Sequence, residues 1–172
     1  MHNSNSGLSY GTTGSGQTTL EQQIYSNKVS EIEQKAKAHE DYLKNELPQS
    51  SPLKIPSTAT FKEEQKNGYE QVKYNWSRGE YKYQSRWHTR TPGAPVDQGN
   101  SWVVEKRKPG IGHGKNACPA ERYVLVGKSK SGKYKWVEKK EWDAAIRARR
   151  NGTATKEQKE MLDNGHWKAD KR

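Results

Sequence analysis

The chain has 172 residues and a formal net charge of +11, with 29% hydrophobic residues and a single Phe, which excludes a large aliphatic core. The charge is uneven: residues 1–68 carry 7 Lys and no Arg against 8 acids, while residues 69–172 carry 24 Lys and Arg against 12 acids and all 6 Trp. One cysteine, Cys118, excludes an internal disulfide, a thiolate zinc site and a CxxC redox pair, and no run approaches the ~20 apolar residues of a membrane helix.

Residues 1–17 are mostly Gly, Ser, Thr and Asn with little apolar content and read as a flexible leader, without the basic-then-apolar layout of a signal peptide. Whatever exports the chain is therefore expected to lie outside it. Thr18-Thr19-Leu20-Glu21 has the spacing of a capping box, with Thr18 capping and Glu21 reaching back. Leu20, Ile24, Val29, Ile32, Ala36 and Leu43 recur at three- and four-residue steps, predicting one amphipathic helix over 18–47. Its stripe is too thin for a core. Three prolines among small polar residues in 48–60 break the helix, so 48–68 reads as a linker or extended strap.

From Tyr69 the period changes to two. Val72, Tyr74 and Trp76 alternate with polar residues, Ser77-Arg78-Gly79 supplies a turn, and Tyr81 and Tyr83 resume the alternation toward Trp87. Ser101–Lys106 is a further strand; Arg122–Gly127 is another, turned back by Lys128–Gly132 into Tyr134, Trp136 and Val137. Trp142, Ala145 and Ile146 share a helix face ended by Asn151-Gly152, and Thr155-x-x-Gln158 opens a second helix that Asn164-Gly165 stops. The expected fold is α+β: an N-terminal helix and linker, then an antiparallel sheet of four to five strands with C-terminal helices, residues 69–172 forming a basic effector domain.

Chemistry is expected at the end of the second strand, in Arg86-Trp87-His88-Thr89-Arg90. An imidazole flanked at two-residue spacing by guanidiniums on its own face suits a phosphate-handling site; a surface histidine beside solvated arginines is the alternative. In the loop that follows, Asp97 either orients a histidine or caps a turn. Pro109–Asn116 holds alternating glycines that let backbone amides approach an anion and that present His113 and Lys115; a flexible linker between strands is the alternative. It is not a phosphate-binding P-loop, since Pro109, Asn116 and Pro119 stand where that motif needs Gly, Ser or Thr, and a helix. His166 reads most simply as a capping or surface residue, with membership of the site as the alternative. Lys139, Lys140, Arg147, Arg149 and Arg150 cluster on one helix, either as a phosphate-contact face or merely solvated. No H-E-x-x-H and no carboxylates at ligand spacing occur, so no metal or other cofactor is expected.

At HTRTPGAPVDQGNSWVVEKRKPGIGHGKN and ATKEQKEMLDNGHWK the chain resembles the C-terminal toxin domains of bacterial polymorphic toxin systems, specifically the polymorphic toxin type 33 domain, over roughly Tyr81 to Lys168. The resemblance implies an antibacterial effector, secreted or delivered as part of a larger protein into the cytoplasm of a competitor and neutralised in the producer by a dedicated immunity protein. Residues and resemblance together point to a metal-independent ribonuclease that cleaves tRNA or rRNA through attack of the ribose 2′-OH. His88 and His113 would be acid and base, Asp97 the orienting group, and Lys115, Arg86 and Arg90 the charge stabilisers. A metal-dependent deoxyribonuclease and a non-catalytic binder of structured RNA or of the ribosome are the alternatives. A basic toxin calls for an acidic immunity partner.

Overall fold

The computed structural model describes residues 19–169, so the leader, 1–17, and the capping residue expected at Thr18 lie outside the described residues. The chain divides into two compact units, Met1–Glu46 and Leu47–Arg172.

In the first unit a helix, α1, spans Leu20–Asp41, and its last turn widens into a π-helical turn at Tyr42–Glu46. Its cap is shifted one residue from expectation. Thr19 takes the extended cap conformation; its hydroxyl accepts from the Gln22 amide at 3.2 Å, and Gln22 Oε1 accepts from the Thr19 amide at 3.1 Å. Two adjacent threonines offered two registers, and Gln serves in the box as well as Glu. No residue of α1 is buried, and Leu20, Ile24, Tyr25 and Ile32 are exposed.

The second unit is a sheet with helices against one face. Its strands are β1 (Thr60–Lys66), β2 (Tyr69–Arg78), β3 (Tyr81–His88), β4 (Ser101–Lys108), β5 (Glu121–Lys128), β6 (Tyr134–Glu138) and β7 (Trp167–Lys168). They run antiparallel in the order β1-β2-β3-β4-β5-β6, and β7 pairs with the start of β4. The α+β architecture is as expected, with more strands. β1 occupies part of the stretch read as linker: six of its seven residues are polar, so it carries no hydrophobic alternation, and it forms because β2 offers it a free edge in register from Thr60↔Asn75 to Lys66↔Tyr69. The β2–β3 turn is the two-residue Gly79-Glu80, one step later than the sequence suggests, and Gly79 takes φ +61° there.

Alternation gives the sheet two cores. On one face Val72, Tyr74, Trp87, Trp102 and Val104 are fully buried. Residues 47–59 lie across this face as a strap: Trp102 Nε1 donates to Ser50 Oγ at 3.0 Å, the Ser51 and Ser85 hydroxyls meet at 2.7 Å, and Tyr134 OH donates to the Pro52 carbonyl at 2.9 Å. The folded unit therefore begins near Leu47 rather than at residue 69.

On the other face Val103, Val124 and Val126 pack against Trp142 and Ala145 of α2 (Lys139–Arg150) and Leu162 of α3 (Lys156–Gly165). Thr155 and Gln158 form the reciprocal cap of α3. At Gly165 the chain passes so close to the Trp142 ring that a Cβ would overlap it. The two helices cover only the β4 to β6 end of this face. Across β1, β2 and β3 the same face carries Glu64, Gln71, Lys73, Gln84, Arg86 and His88, and it borders a groove beside α2.

Candidate functional site

The groove has a volume of about 650 Å³ and is walled by the polar face of β1 to β3 on one side and by α2 on the other. α2 turns Lys139, Trp142, Asp143, Ile146, Arg149 and Arg150 toward it, at the three- and four-residue steps that place side chains on one helix face. From the sheet come Lys66, Tyr69, Gln71, Arg86 and His88, and His166 enters from the end of α3.

Arg86 sits on β3 near the middle of the sheet, paired with Lys73 on β2 and Val103 on β4. Its Nη1 donates to Glu105 Oε2 at 3.2 Å and to Gln84 Oε1 at 3.3 Å. Lys139 lies 3.9 Å from Glu105 Oε1 and 2.9 Å from Asp143 Oδ1. At the β1 edge Glu64 accepts from Lys66 at 2.8 Å and Lys73 at 2.6 Å, and hydrogen bonds from Lys66 and then Lys73 hold its carboxyl down at about 2.

Two histidines stand at the other end of the groove. His88 is 3% exposed and His166 8% exposed, their ring centroids are 5.8 Å apart, and the rings meet edge to face. His88 Nδ1 lies 2.8 Å from the Thr89 carbonyl and His166 Nδ1 2.6 Å from the Leu162 carbonyl. A carbonyl only accepts, so in both rings Nδ1 carries the proton and the Nε2 lone pair of the neutral form is left over. Burial pushes His88 down to about 4, the Thr89 carbonyl opposes this, and Arg86 adds to it. His166 falls to about 4 for the same leading reason, against its bond to Leu162 and with help from His88, Arg149 and Arg86.

Of the residues expected to carry chemistry, the groove brings together Arg86, His88, Lys139, Arg149 and Arg150. His113 and Lys115 lie elsewhere. His88 pairs with Ser101 at the start of β4, whereas His113 follows the end of that strand, and the seven steps to Lys108 span about 23 Å. The Gly-rich segment is an exposed excursion pinned by a bridge between Ile111 and Cys118, with bonds of 2.9 and 2.7 Å. Asp97 is exposed in a short turn, and the histidine Nδ1 atoms are held by main-chain carbonyls instead. Arg90 holds its own loop: its Nε donates to the Pro95 carbonyl at 3.1 Å and Nη2 donates to the Ala94 carbonyl. Arg147 and Lys140 are exposed and do not line the groove; Lys140 pairs with Glu138 at 3.3 Å.

Lys66, Tyr69, Lys73 and Glu105 are residues that sequence reasoning missed, and His166 entered that reasoning only as the lesser of two readings. A signal for Glu105 existed, since it shares strand alternation with Val103. Lys66 and His166 had none, because one lies on an unrecognised strand and the other reaches the groove only through helix packing. Among the described residues no three His, Cys, Asp or Glu side chains gather as a metal site would require, and no helix is long and apolar enough to cross a membrane. No family model, no curated protein and no solved structure matches the chain.

Proposed function

We propose that the unit beginning at Leu47 is a ribonuclease that works without a metal ion, and that the groove between the sheet and α2 is its site. The observation that carries the reading is the order of groups along the strands. Arg86 is flanked on its own face by the Gln84–Glu105 pair on one side and by the His88–Ser101 pair on the other. Each step is two residues, or about 7 Å. A phosphate seated on Arg86 would have a carboxylate to one side and an imidazole to the other, which is the placement that in-line displacement asks of a base and an acid. Lys66, Lys139, Arg149 and Arg150 make the surroundings cationic, as a polyanion requires.

In this scheme Glu105 takes the proton of the ribose 2′-OH, the 2′ oxygen bonds to phosphorus, the bond to the 5′ oxygen breaks, and a cyclic phosphate remains. Arg86 and Lys139 stabilise the charge on the phosphorane oxygens. His88 protonates the leaving 5′ oxygen; it is neutral at pH 7 in the free protein, and an anionic phosphate brought beside it raises its affinity for a proton. His166 and the Thr89 carbonyl position its ring.

As a toxin the protein would reach its target cell as part of a larger protein, act on tRNA or rRNA in the cytoplasm, and be held in check by an acidic immunity protein that covers the cationic groove. The test is incubation of the purified chain with total bacterial RNA, followed by mapping of new ends. New 2′,3′-cyclic phosphate ends that persist in chelator support the proposal, as does a fall of ~10²- to 10⁴-fold in the variants Glu105→Gln and His88→Gln. Cleavage that chelator abolishes would point to a metal-dependent nuclease. RNA binding with no new ends would leave a binder.

A further inference from the structure

A second, smaller cavity of about 250 Å³ shares two walls with the groove, Arg149 and His166. Its remaining lining includes Gln98, Lys159, Lys168 and Asp163. Gln98 is 7% exposed, and its two amide atoms fare differently. Oε1 accepts from Arg149 Nη1 at 3.0 Å, which fixes the orientation of the amide and leaves Nε2 as the remaining donor. Nε2 is buried and has no hydrogen-bond partner among the described residues. A buried donor without an acceptor is costly to keep, and a bound acceptor would remove that cost.

The chemistry of the lining names the acceptor. Arg149, Lys159 and Lys168 stand against Asp97 and Asp163, an excess of one positive charge. Lys168 spends its ammonium partly on main chain, donating to the Asp97 carbonyl and, at 3.3 Å, to the Gln98 carbonyl. These bonds hold the 96–98 turn in place and so hold Gln98. The Gln98 bond uses one guanidinium N–H of Arg149, and Lys159 is exposed at the rim. Donors of both kinds, an amide N–H and cationic N–H groups, converge on a small space with a single surplus charge. That is the complement of a singly charged phosphodiester or a small phosphate.

We propose that this cavity is a second phosphate subsite, and that a strand lying in the groove places a phosphate neighbouring the reacting one on Gln98, Arg149 and Lys159. The inference rests on the groove being the RNA site, and it makes the substrate a strand with at least two phosphates, with Arg149 as the wall between them. A free phosphate or a 5′-phosphate end would satisfy the same donors.

Binding separates these cases. The full chain is titrated calorimetrically with an uncleavable 2′-O-methyl dinucleotide, which has one phosphodiester, with and without a 5′-phosphate, and with inorganic phosphate; the same is done for Lys159→Gln and Gln98→Met, each first shown to keep the near-ultraviolet dichroism of the parent. The added phosphate should tighten binding by about tenfold in the parent. That gain should vanish in both variants while the unphosphorylated dinucleotide, whose one phosphate lies in the groove, binds as before. An equal gain in parent and variants would overturn the subsite and leave the groove reading standing. If no oligonucleotide binds the parent, the groove reading fails, and inorganic phosphate decides the cavity: binding that Lys159→Gln abolishes keeps it as a site for free phosphate, and binding that is absent or unchanged by the substitution overturns it.

Discussion

Acidification should destabilise the second unit through its two buried imidazoles. His88 and His166 titrate at about 4 in the folded protein against 6.5 for an ordinary histidine. Between those values the unfolded chain binds more protons than the folded one, so the stability each neutral ring contributes is complete above pH 6.5 and drains away as pH falls toward 4. From pH 7 to pH 5 the shift is worth about 2 kcal/mol for each ring, and about 4 kcal/mol for the pair. In a unit of this size that lowers Tm by roughly 10 to 20 °C. Glu64, held at about 2, loses its stabilising effect only below its ordinary value of 4.5 and so stays out of this window. Scanning calorimetry at pH 7, 6 and 5 measures the fall, and NMR of the imidazole protons gives the two midpoints directly. The variant His88→Gln should show about half the parental slope. A parental Tm that moves by less than ~3 °C across this range, or imidazole midpoints near 6.5, would refute the burial argument.

Truncation tests the boundary of the second unit: residues 47–172 should melt cooperatively, whereas residues 69–172 lack the strap and β1, expose Trp87 and Trp102, and should show no cooperative transition by circular dichroism. Gly165→Ala would drive a methyl into the Trp142 ring, with Trp142 Cη2 at 2.6 Å and Val126 Cγ1 at 3.2 Å, and should cost about 1 to 3 kcal/mol in chemical denaturation. Leu162→Ala opens a cavity beneath Val103 and Trp142 and should cost about 2 to 5 kcal/mol in the same assay. For activity, Arg86→Gln should abolish RNA cleavage, while His113→Ala and Lys115→Ala, at the far end of β4, should leave it within about twofold; a loss on His113→Ala equal to that on Arg86→Gln would return the site to the Gly-rich loop.

Much of the fold was legible locally. β2 and β3 announce themselves by alternation of aromatic and β-branched residues with polar ones, β4 and β5 by short apolar runs of strand length, and Thr155 and Gln158 mark the start of α3 by a bond between neighbours three residues apart. Arg86 and His88 share a face because a strand has a period of two, which is why half of the candidate site could be read from one segment. What misled was proximity in sequence. His113 and Lys115 sit in a segment that looks built for an anion, yet an antiparallel strand carries the chain away from His88 before that segment begins.

By itself, then, the sequence determined the period of β2, β3 and the helices, the capping residues of α3, the concentration of charge after residue 68, and the placing of an arginine and a histidine on one strand face. These depend on neighbours and on composition. Only the tertiary structure decided that a proline-rich stretch would seal the aromatic face, that a charged segment would become an edge strand, that Glu105 would pair with Arg86, and that His166, Lys66 and Arg149 would line one groove with it. Convergence depends on strand register and on helix packing, and both are settled by burial of Trp87, Trp102, Trp142 and Leu162 between elements far apart in the chain.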